Sequence, residues 1–132
     1  MKVLICYFSG TGNTRKVVNK YVEVLSLEGV TCDTYKIETN KFDYDVTDYE
    51  MIGIAYPVHA FNAPSIILDF AKSLPYCEGK RVFIVNTSGE PLKLNNISSI
   101  KLIKILKGKG YNVTNEYHYC MPYNIIFRHT DN

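Results

Sequence analysis

Long apolar runs are missing from this sequence of 132 residues. No stretch approaches the roughly 18 consecutive apolar residues that suggest a membrane span, so we expect a soluble protein with no membrane partner. The apolar start, Val3 to Phe8, is followed at once by Ser-Gly-Thr-Gly, without the small-residue cleavage site of a signal peptide. This start therefore predicts a buried strand.

Cysteine pairs are missing as well. None of the four cysteines belongs to a C-x-x-C motif, which argues against a zinc site, an iron–sulfur cluster or a disulfide framework. We therefore predict no metal site and expect a reducing, cytoplasmic location. The four are Cys6, Cys32, Cys77 and Cys120.

Charge of one sign is scarce, because the formal net charge is only +2. The lysines are dispersed except for a stretch at helical spacing, which is typical of a solvated helix face. This pattern argues against a nucleic-acid partner. The stretch consists of Lys101, Lys104, Lys107 and Lys109.

Short apolar runs alternate with amphipathic stretches along the chain, and no repeat, linker or low-complexity segment interrupts them. This alternation predicts one α/β domain over residues 1–132, with right-handed crossovers and a doubly wound, open parallel sheet. The helix between the second and third strands is predicted to be short or missing. The predicted strands are Lys2 to Phe8, Thr31 to Ile37, Glu50 to Ala55, Arg81 to Val85 and Tyr111 to Met121. Alternation in the last of these predicts that Val113, Tyr117, Tyr119 and Met121 share one face. The predicted helices have their apolar positions at Val17, Val18, Tyr21, Val22 and Leu25, at Ile67, Phe70, Ala71 and Leu74, and at Ile100, Ile103 and Leu106.

The loop Ser9 to Thr14 follows the first strand and immediately precedes a helix. It places three hydroxyls, two glycines and one asparagine in six positions, and it contains no lysine or arginine. Glycines let backbone N–H groups face inward, and a helix N-terminus adds a favourable dipole. The loop is therefore predicted to be a neutral cradle for a phosphate monoester; the alternative is a plain turn capped by Thr14.

The residues of this loop do not match three other classes of protein that handle phosphate. No Gly-Lys-Ser/Thr follows Gly10 at Walker spacing. A phosphatase with Cys6 as its nucleophile would need a cationic residue late in the loop to stabilise the thiolate, but position 12 is glycine. A phosphate-accepting response regulator needs acidic residues after the first and third strands, where Ser9 and Tyr56 stand instead.

Three segments carry a resemblance to a known family. Tyr7-Phe8-Ser9-Gly10-Thr11-Gly12-Asn13-Thr14 resembles the FMN-phosphate loop of the flavodoxin family. Asp48 to Pro64 resembles the third strand and flavin loop of flavodoxin-like domains, especially those fused in anaerobes to a ferredoxin-type domain. Thr87 to Pro91 extends the similarity past the fourth strand. The resemblance implies a five-stranded sheet in the order 2-1-3-4-5 and FMN as cofactor.

The resemblance also implies which residues hold FMN, and it implies no catalytic acid or base. Independently, the side chains after the third strand form a stiff apolar rim that suits a planar ring, although packing alone could explain them. His59 is the one ionisable group in that loop, either solvated or placed to offset charge on the reduced flavin. The implied phosphate residues are Ser9, Gly10, Thr11, Gly12, Asn13 and Thr14, and the ring residues are Tyr56, Pro57, Val58, His59, Ala60, Phe61, Asn62, Thr87, Ser88 and Gly89.

The sequence departs from the flavodoxin pattern in three respects. Flavodoxins are commonly very acidic, whereas this chain is slightly basic. No glycine stands between Ala55 and Pro64, where flavodoxins have a glycine peptide that flips on one-electron reduction. The chain also stops at Asn132, shortly after the fifth strand, so the last helix of the family is predicted to be missing.

These observations favour an electron carrier that passes electrons between redox partner proteins, possible partners being ferredoxin-like. The first alternative is an FMN-dependent reductase of quinones or other small molecules. The second is an interaction module without flavin. Whether the protein is an enzyme stays open at this point.

We predict self-association from the missing helix. Its loss would bare the first-helix side of the fourth and fifth strands, and strand parity alone does not say whether Val82 and Ile84 or Phe83 and Val85 face the gap. Light scattering at micromolar concentration should show a dimer or larger species, unless the tail Ile125-Ile126-Phe127 or a further domain after Asn132 covers the face. A monomer that binds no hydrophobic dye would contradict self-association.

Overall fold

The computed structural model describes residues 1–9, 12–38, 41–58, 63–88, 99–120 and 128–131. Strands and helices alternate along these residues, as the sequence predicts. The strands are β1 Lys2–Tyr7, β2 Thr31–Lys36, β3 Met51–Pro57, β4 Arg81–Ser88, β5 Asn112–Cys120 and β6 Arg128–Asp131. The helices are α1 Asn13–Leu27, α2 Ser65–Ser73 and α3 Ile100–Gly108, with a 3-10 turn at Val46–Asp48.

The sheet has the order β2-β1-β3-β4-β5-β6. The first five strands are parallel, which confirms the predicted order 2-1-3-4-5. β6 runs antiparallel to β5 and was not predicted. Its sequence, Arg-His-Thr-Asp, shows no alternation of apolar and polar residues, so hydrophobic periodicity does not predict a strand there.

The helices cover the two faces of the sheet. α1 packs through Val17 and Val18 on one face, and α2 and α3 pack on the other. All four predicted inward residues from Ile67 to Leu74 are buried. In α3 the prediction was wrong at Ile100, which is 58% exposed at the helix start, while Leu102 is buried.

The two helices predicted to be weak or missing are not found in the described residues. Between β2 and β3 the described chain forms the 3-10 turn, where Asp45 accepts a hydrogen bond from the Thr47 N–H at 2.9 Å. After β5 the described residues 128–131 form a strand. None of the helices in the described part combines the length and apolar character that crossing a bilayer requires.

A register shift in β5 corrects the predicted face of that strand. Val82 pairs with Val113 but Phe83 pairs with Asn115, so one residue of β5 is skipped. Val113 consequently packs on the α2 and α3 side, whereas Tyr119 packs on the α1 side. The prediction that both lie on one face is wrong, because an extra residue in a strand reverses the alternation beyond it.

Phe83 and Val85 are the β4 residues that face the α1 side, and both are buried. Tyr21 of α1 stacks on Phe83 with ring centroids 6.0 Å apart, and its hydroxyl lies 2.7 Å from that of Tyr119. An open groove of about 260 Å³ remains on this side. Self-association stays a prediction, because the tail Ile125-Ile126-Phe127 that could cover this side lies outside the described residues. The lining residues of the groove are Lys20, Tyr21, Val24, Tyr117 and Tyr119.

Gly53 of β3 offers a test of this packing. A Cβ atom at Gly53 would lie 2.4 Å from the nearest atom of the Phe83 ring, which is enclosed by the core. We expect Gly53→Ala to lower the free energy of unfolding by about 1–3 kcal/mol through overpacking. Urea denaturation should show a smaller loss when the substitution is made in a Phe83→Leu background.

Gly108→Ala is the matched control. No atom lies within 4 Å of the Cβ position at Gly108, which ends α3. Alanine there should leave stability unchanged or raise it by up to about 1 kcal/mol. If Gly53→Ala lowers the free energy of unfolding equally in the wild type and in the Phe83→Leu background, the proposed clash with the Phe83 ring is contradicted.

Candidate functional site

The carboxyl ends of β1, β3 and β4 meet at one edge of the sheet. The Phe8 N–H donates to the Ala55 carbonyl at 2.9 Å, and the Val58 N–H donates to the Thr87 carbonyl at 2.8 Å. The carboxyl ends of parallel strands form the crevice where open α/β sheets bind ligands. The described residues from which the predicted phosphate and ring segments start are thus neighbours, although they are separated along the chain.

Gly12 shapes the end of the loop after β1. Its φ is +90°, a left-handed conformation that favours glycine, and no atom lies within 4 Å of its Cβ position. The Gly12 N–H donates to the Ser9 hydroxyl at 2.9 Å, while its carbonyl accepts from the Lys16 N–H at 3.1 Å. The loop turns into α1 at this residue.

The N-terminus of α1 fits an anion. Gly12 is the N-cap residue and brings no side chain to the first N–H groups, and no acidic residue stands in the first turn. These N–H groups and the helix dipole favour a negative charge at that end. Gly10 and Thr11, two predicted phosphate residues, lie outside the described residues.

Thr14 ties the phosphate loop to β4. Its side chain is 1% exposed, and its hydroxyl lies 2.9 Å from the hydroxyl of Thr87. Thr14 is inside α1, one residue past the helix start, so the alternative reading of Thr14 as the helix cap is wrong. Asn13 is half-buried beside it.

The predicted ring residues that the structure describes divide into two groups. Pro57, Val58 and Ser88 are half-buried at the sheet edge. Tyr56 and Thr87 are buried, and Tyr56 packs in the apolar cluster on the α2 and α3 side. This burial favours the packing role that the sequence left open for Tyr56. His59, Ala60, Phe61, Asn62 and Gly89 lie outside the described residues.

A buried polar network at the same edge was missed by the sequence analysis. The Asn86 amide Nδ2 donates to Glu116 Oε2 at 2.9 Å, and Asn86 Oδ1 lies 2.5 Å from His118 Nδ1. His118 Nε2 lies 3.1 Å from the Ser88 hydroxyl. The available signal was a pair of titratable residues, Glu116 and His118, two apart in a predicted strand. The sequence analysis considered only the face that carries Val113, Tyr117 and Tyr119.

Burial controls the acid–base behaviour of two groups here. It raises the pKa of the Glu116 carboxyl, and the hydrogen bond from Asn86 offsets part of that rise. Burial also raises the pKa of the Cys6 thiol, which has no exposed surface in β1. Cys6 is therefore held as an unreactive thiol, in agreement with the rejection of phosphatase chemistry.

No group of three His, Cys, Asp or Glu side chains among the described residues could hold a metal ion. What the described edge offers is an anion-binding helix terminus, half-exposed apolar positions beside it and a buried polar network behind it. Such an arrangement can bind a phosphorylated planar molecule and shield one part of it from water.

The comparisons with known proteins agree with this fold. A family model described as "Flavodoxin domain" matches residues 4–117. No curated protein is detectably similar in sequence.

Solved structures show the same architecture at low identity. Oxidised Flavodoxin 1 from Bacillus cereus matches at a TM-score of 0.72 and 16% identity, over 93% of this chain and 88% of that chain. A flavodoxin from the domain Archaea matches at 0.70 and 16%, over 93% and 87%. A flavodoxin from Streptococcus pneumoniae matches at 0.68 and 17%, over 95% and 86%. Likeness at these identities shows the fold.

The raised pKa of Glu116 predicts how stability changes with pH. The folded state holds the Glu116 proton more tightly than the unfolded state, whose carboxyl has a pKa of about 4.3. Above that pH the unfolded state binds fewer protons than the folded state, so this residue lowers the free energy of unfolding until pH passes its folded pKa. In urea denaturation from pH 4 to 8, Glu116→Gln should gain stability relative to the wild type as pH rises.

Glu23→Gln is the control, because it removes a carboxylate whose side chain is 65% exposed. Its stability difference from the wild type should stay nearly constant over the same range. A constant difference for Glu116→Gln as well, or one that shrinks as pH rises, would contradict the assigned burial effect.

Proposed function

Because this chain belongs to the flavodoxin family, we propose that it binds FMN non-covalently and carries electrons between redox partner proteins. The observation that carries this proposal is the N-terminus of α1, where Gly12 leaves the first N–H groups uncapped beside Ser9. A phosphate monoester is the group that such a neutral, dipole-rich terminus binds well.

The residues of the three loops have distinct roles in this proposal. Those after β1 hold the phosphate, while those after β3 and β4 border the isoalloxazine ring. FMN, when bound, supplies reversible electron transfer, and the chain supplies binding, orientation and electrostatics. The phosphate residues are Ser9, Gly10, Thr11, Gly12, Asn13 and Thr14, and the ring residues are Pro57 to Asn62 and Thr87 to Gly89, while Tyr56 packs in the core.

The described edge supports a carrier more than an enzyme. Its half-buried positions, Pro57, Val58 and Ser88, hold no side chain that could act as an acid or base at neutral pH. Electron transfer needs only an accessible ring edge, so such a rim is sufficient. The partner is proposed to be a redox protein, ferredoxin-like proteins being candidates. The net charge of +2 argues against docking through a strongly acidic protein as a whole.

One observation favours a second candidate, an FMN-dependent reductase of quinones or other small molecules. The segment between Ala55 and Pro64 has no glycine, whose backbone freedom a one-electron carrier of this family uses. Steady reduction of a quinone by a nicotinamide donor, with no partner protein added, would favour the reductase. Failure of that reaction beside rapid electron exchange with a ferredoxin would favour the carrier.

Phosphate recognition predicts a preference for FMN over riboflavin. Fluorescence quenching titrations should give much tighter binding of FMN, because only FMN reaches the N-terminus of α1. Thr14→Ala should weaken FMN binding by about 1–3 kcal/mol, which is about 5- to 150-fold, through the loss of a hydrogen bond to a charged group. Riboflavin binding should change little.

Two variants serve as controls for Thr14→Ala. Thr14→Ser keeps the hydroxyl and should keep FMN binding, and Thr47→Ala removes an exposed hydroxyl of the 3-10 turn and should have no effect. Equal affinity of the wild type for riboflavin and FMN would overturn the phosphate assignment.

A further inference from the structure

Glu116 and His118 are buried, titratable groups that the proposed function does not use. Each is 7% exposed, and Asn86, which has no exposed surface, lies between them. The Glu116 Oε2, Asn86 and His118 Nδ1 form one continuous chain of hydrogen bonds at 2.9 Å and 2.5 Å. A histidine held this way has a defined orientation, so its two ring nitrogens have different roles.

The polarity of the chain follows from Asn86. Its amide Nδ2 donates to Glu116, so its carbonyl Oδ1 faces His118, and His118 Nδ1–H must be the donor. The remaining nitrogen, Nε2, lies 3.1 Å from the Ser88 hydroxyl. In the neutral imidazole Nε2 accepts from Ser88, whereas in the imidazolium Nε2–H donates to Ser88 and the hydroxyl hydrogen turns to another acceptor.

Ser88 connects this network to the proposed cofactor loop. It is the last residue of β4, and it belongs to the segment Thr87 to Gly89 that is proposed to border the ring. Protonation at His118 therefore changes the hydrogen bonding of a residue in that proposed ring segment. The residues of the network come from β4 and β5, and Ser88 is the one that stands at the carboxyl end of its strand.

Among the described residues, the polar groups near His118 come from its own strand, from β4 and from the start of α3. Asn86 and Ser88 lie on β4, Glu116 lies on the same strand as His118, and Ser99, which precedes α3, lies beside Glu116. In the backbone pairing of β5 with β6, the register partner of His118 is Arg128. Glu116 is the acidic member of this set, and it favours a positive charge on His118 across the shared Asn86.

We propose that His118 is a positioning residue that takes up a proton when the bound flavin is reduced, and that Ser88 transmits this change to the ring. The inference rests on the proposed function. The electrons come from an external reductant and stay on the cofactor, while one proton moves from solvent to His118 Nε2. No covalent bond forms or breaks between protein and cofactor. Negative charge gained by the cofactor favours the imidazolium nearby.

Histidine NMR of the FMN-loaded wild type tests the proposal directly. The protonation midpoint of His118 is measured in the oxidised protein and after reduction with dithionite, with resonances assigned from His118→Gln. Reduction should tighten proton binding at His118 by about threefold or more, since a nearby negative charge stabilises the protonated form. In the flavin-free protein, the Nδ1–H tautomer should predominate at high pH. An unchanged midpoint on reduction, or the other tautomer, would overturn the proposal.

The pH dependence of the reduction potential is the second measurement. Between the two His118 midpoints the wild type should take up an additional fraction of a proton per molecule reduced, about 0.3 for a threefold shift, and His118→Gln should lose this. His129→Gln should keep the wild-type profile. Loss of the dependence in His59→Gln with retention in His118→Gln would assign the effect to His59 and overturn the proposal.

The failures of the two proposals are distinguishable. If the wild type binds no FMN, the proposed function and this inference both fall. If FMN binds and the His118 midpoint does not respond to reduction, only the inference falls. Should His118→Gln fail to fold, the wild-type titration still decides, and Glu116→Gln supplies the second variant, in which proton binding at His118 should weaken.

Discussion

The parallel pairing of β3 with both β1 and β4 is the constraint on which the rest of the structure depends. It places Tyr7 beside Ala55 and Pro57 beside Thr87, so three strands end together. All three are buried on both faces, and their backbone groups must pair with one another because no water reaches them. The residues at which the three candidate segments begin are therefore held together by this pairing.

The same strands change character along their length. β4 is apolar at Val82 and Ile84 on the α2 and α3 side, and then continues on that side with Asn86 and Ser88. Buried polar groups are costly unless they are hydrogen-bonded, and β5 supplies Glu116 and His118 at the matching positions. The core on this side is thus stabilised by apolar side-chain packing at the start of β4 and by a hydrogen-bond network at its end.

The match between β4 and β5 depends on one irregularity. The register shift after Val113 turns the remainder of β5 over, which brings Glu116 and His118 to the side of Asn86. It also turns Tyr119 toward α1, where its hydroxyl meets that of Tyr21. Without the shift, charged groups would face α1 and the tyrosines would face α3, and neither would find these partners.

The sequence by itself determined the alternation of strands and helices, the parallel order 2-1-3-4-5 and the glycine-containing turn before α1. These follow from local signals, namely apolar runs, helical periodicity and Gly12, and from resemblance over neighbouring residues. Only the tertiary structure decided the face of β5, the addition of β6, the burial of Tyr56 and the network around Asn86. Each of these depends on which residues of distant strands lie opposite one another, and a one-residue shift in pairing reverses every side chain beyond it.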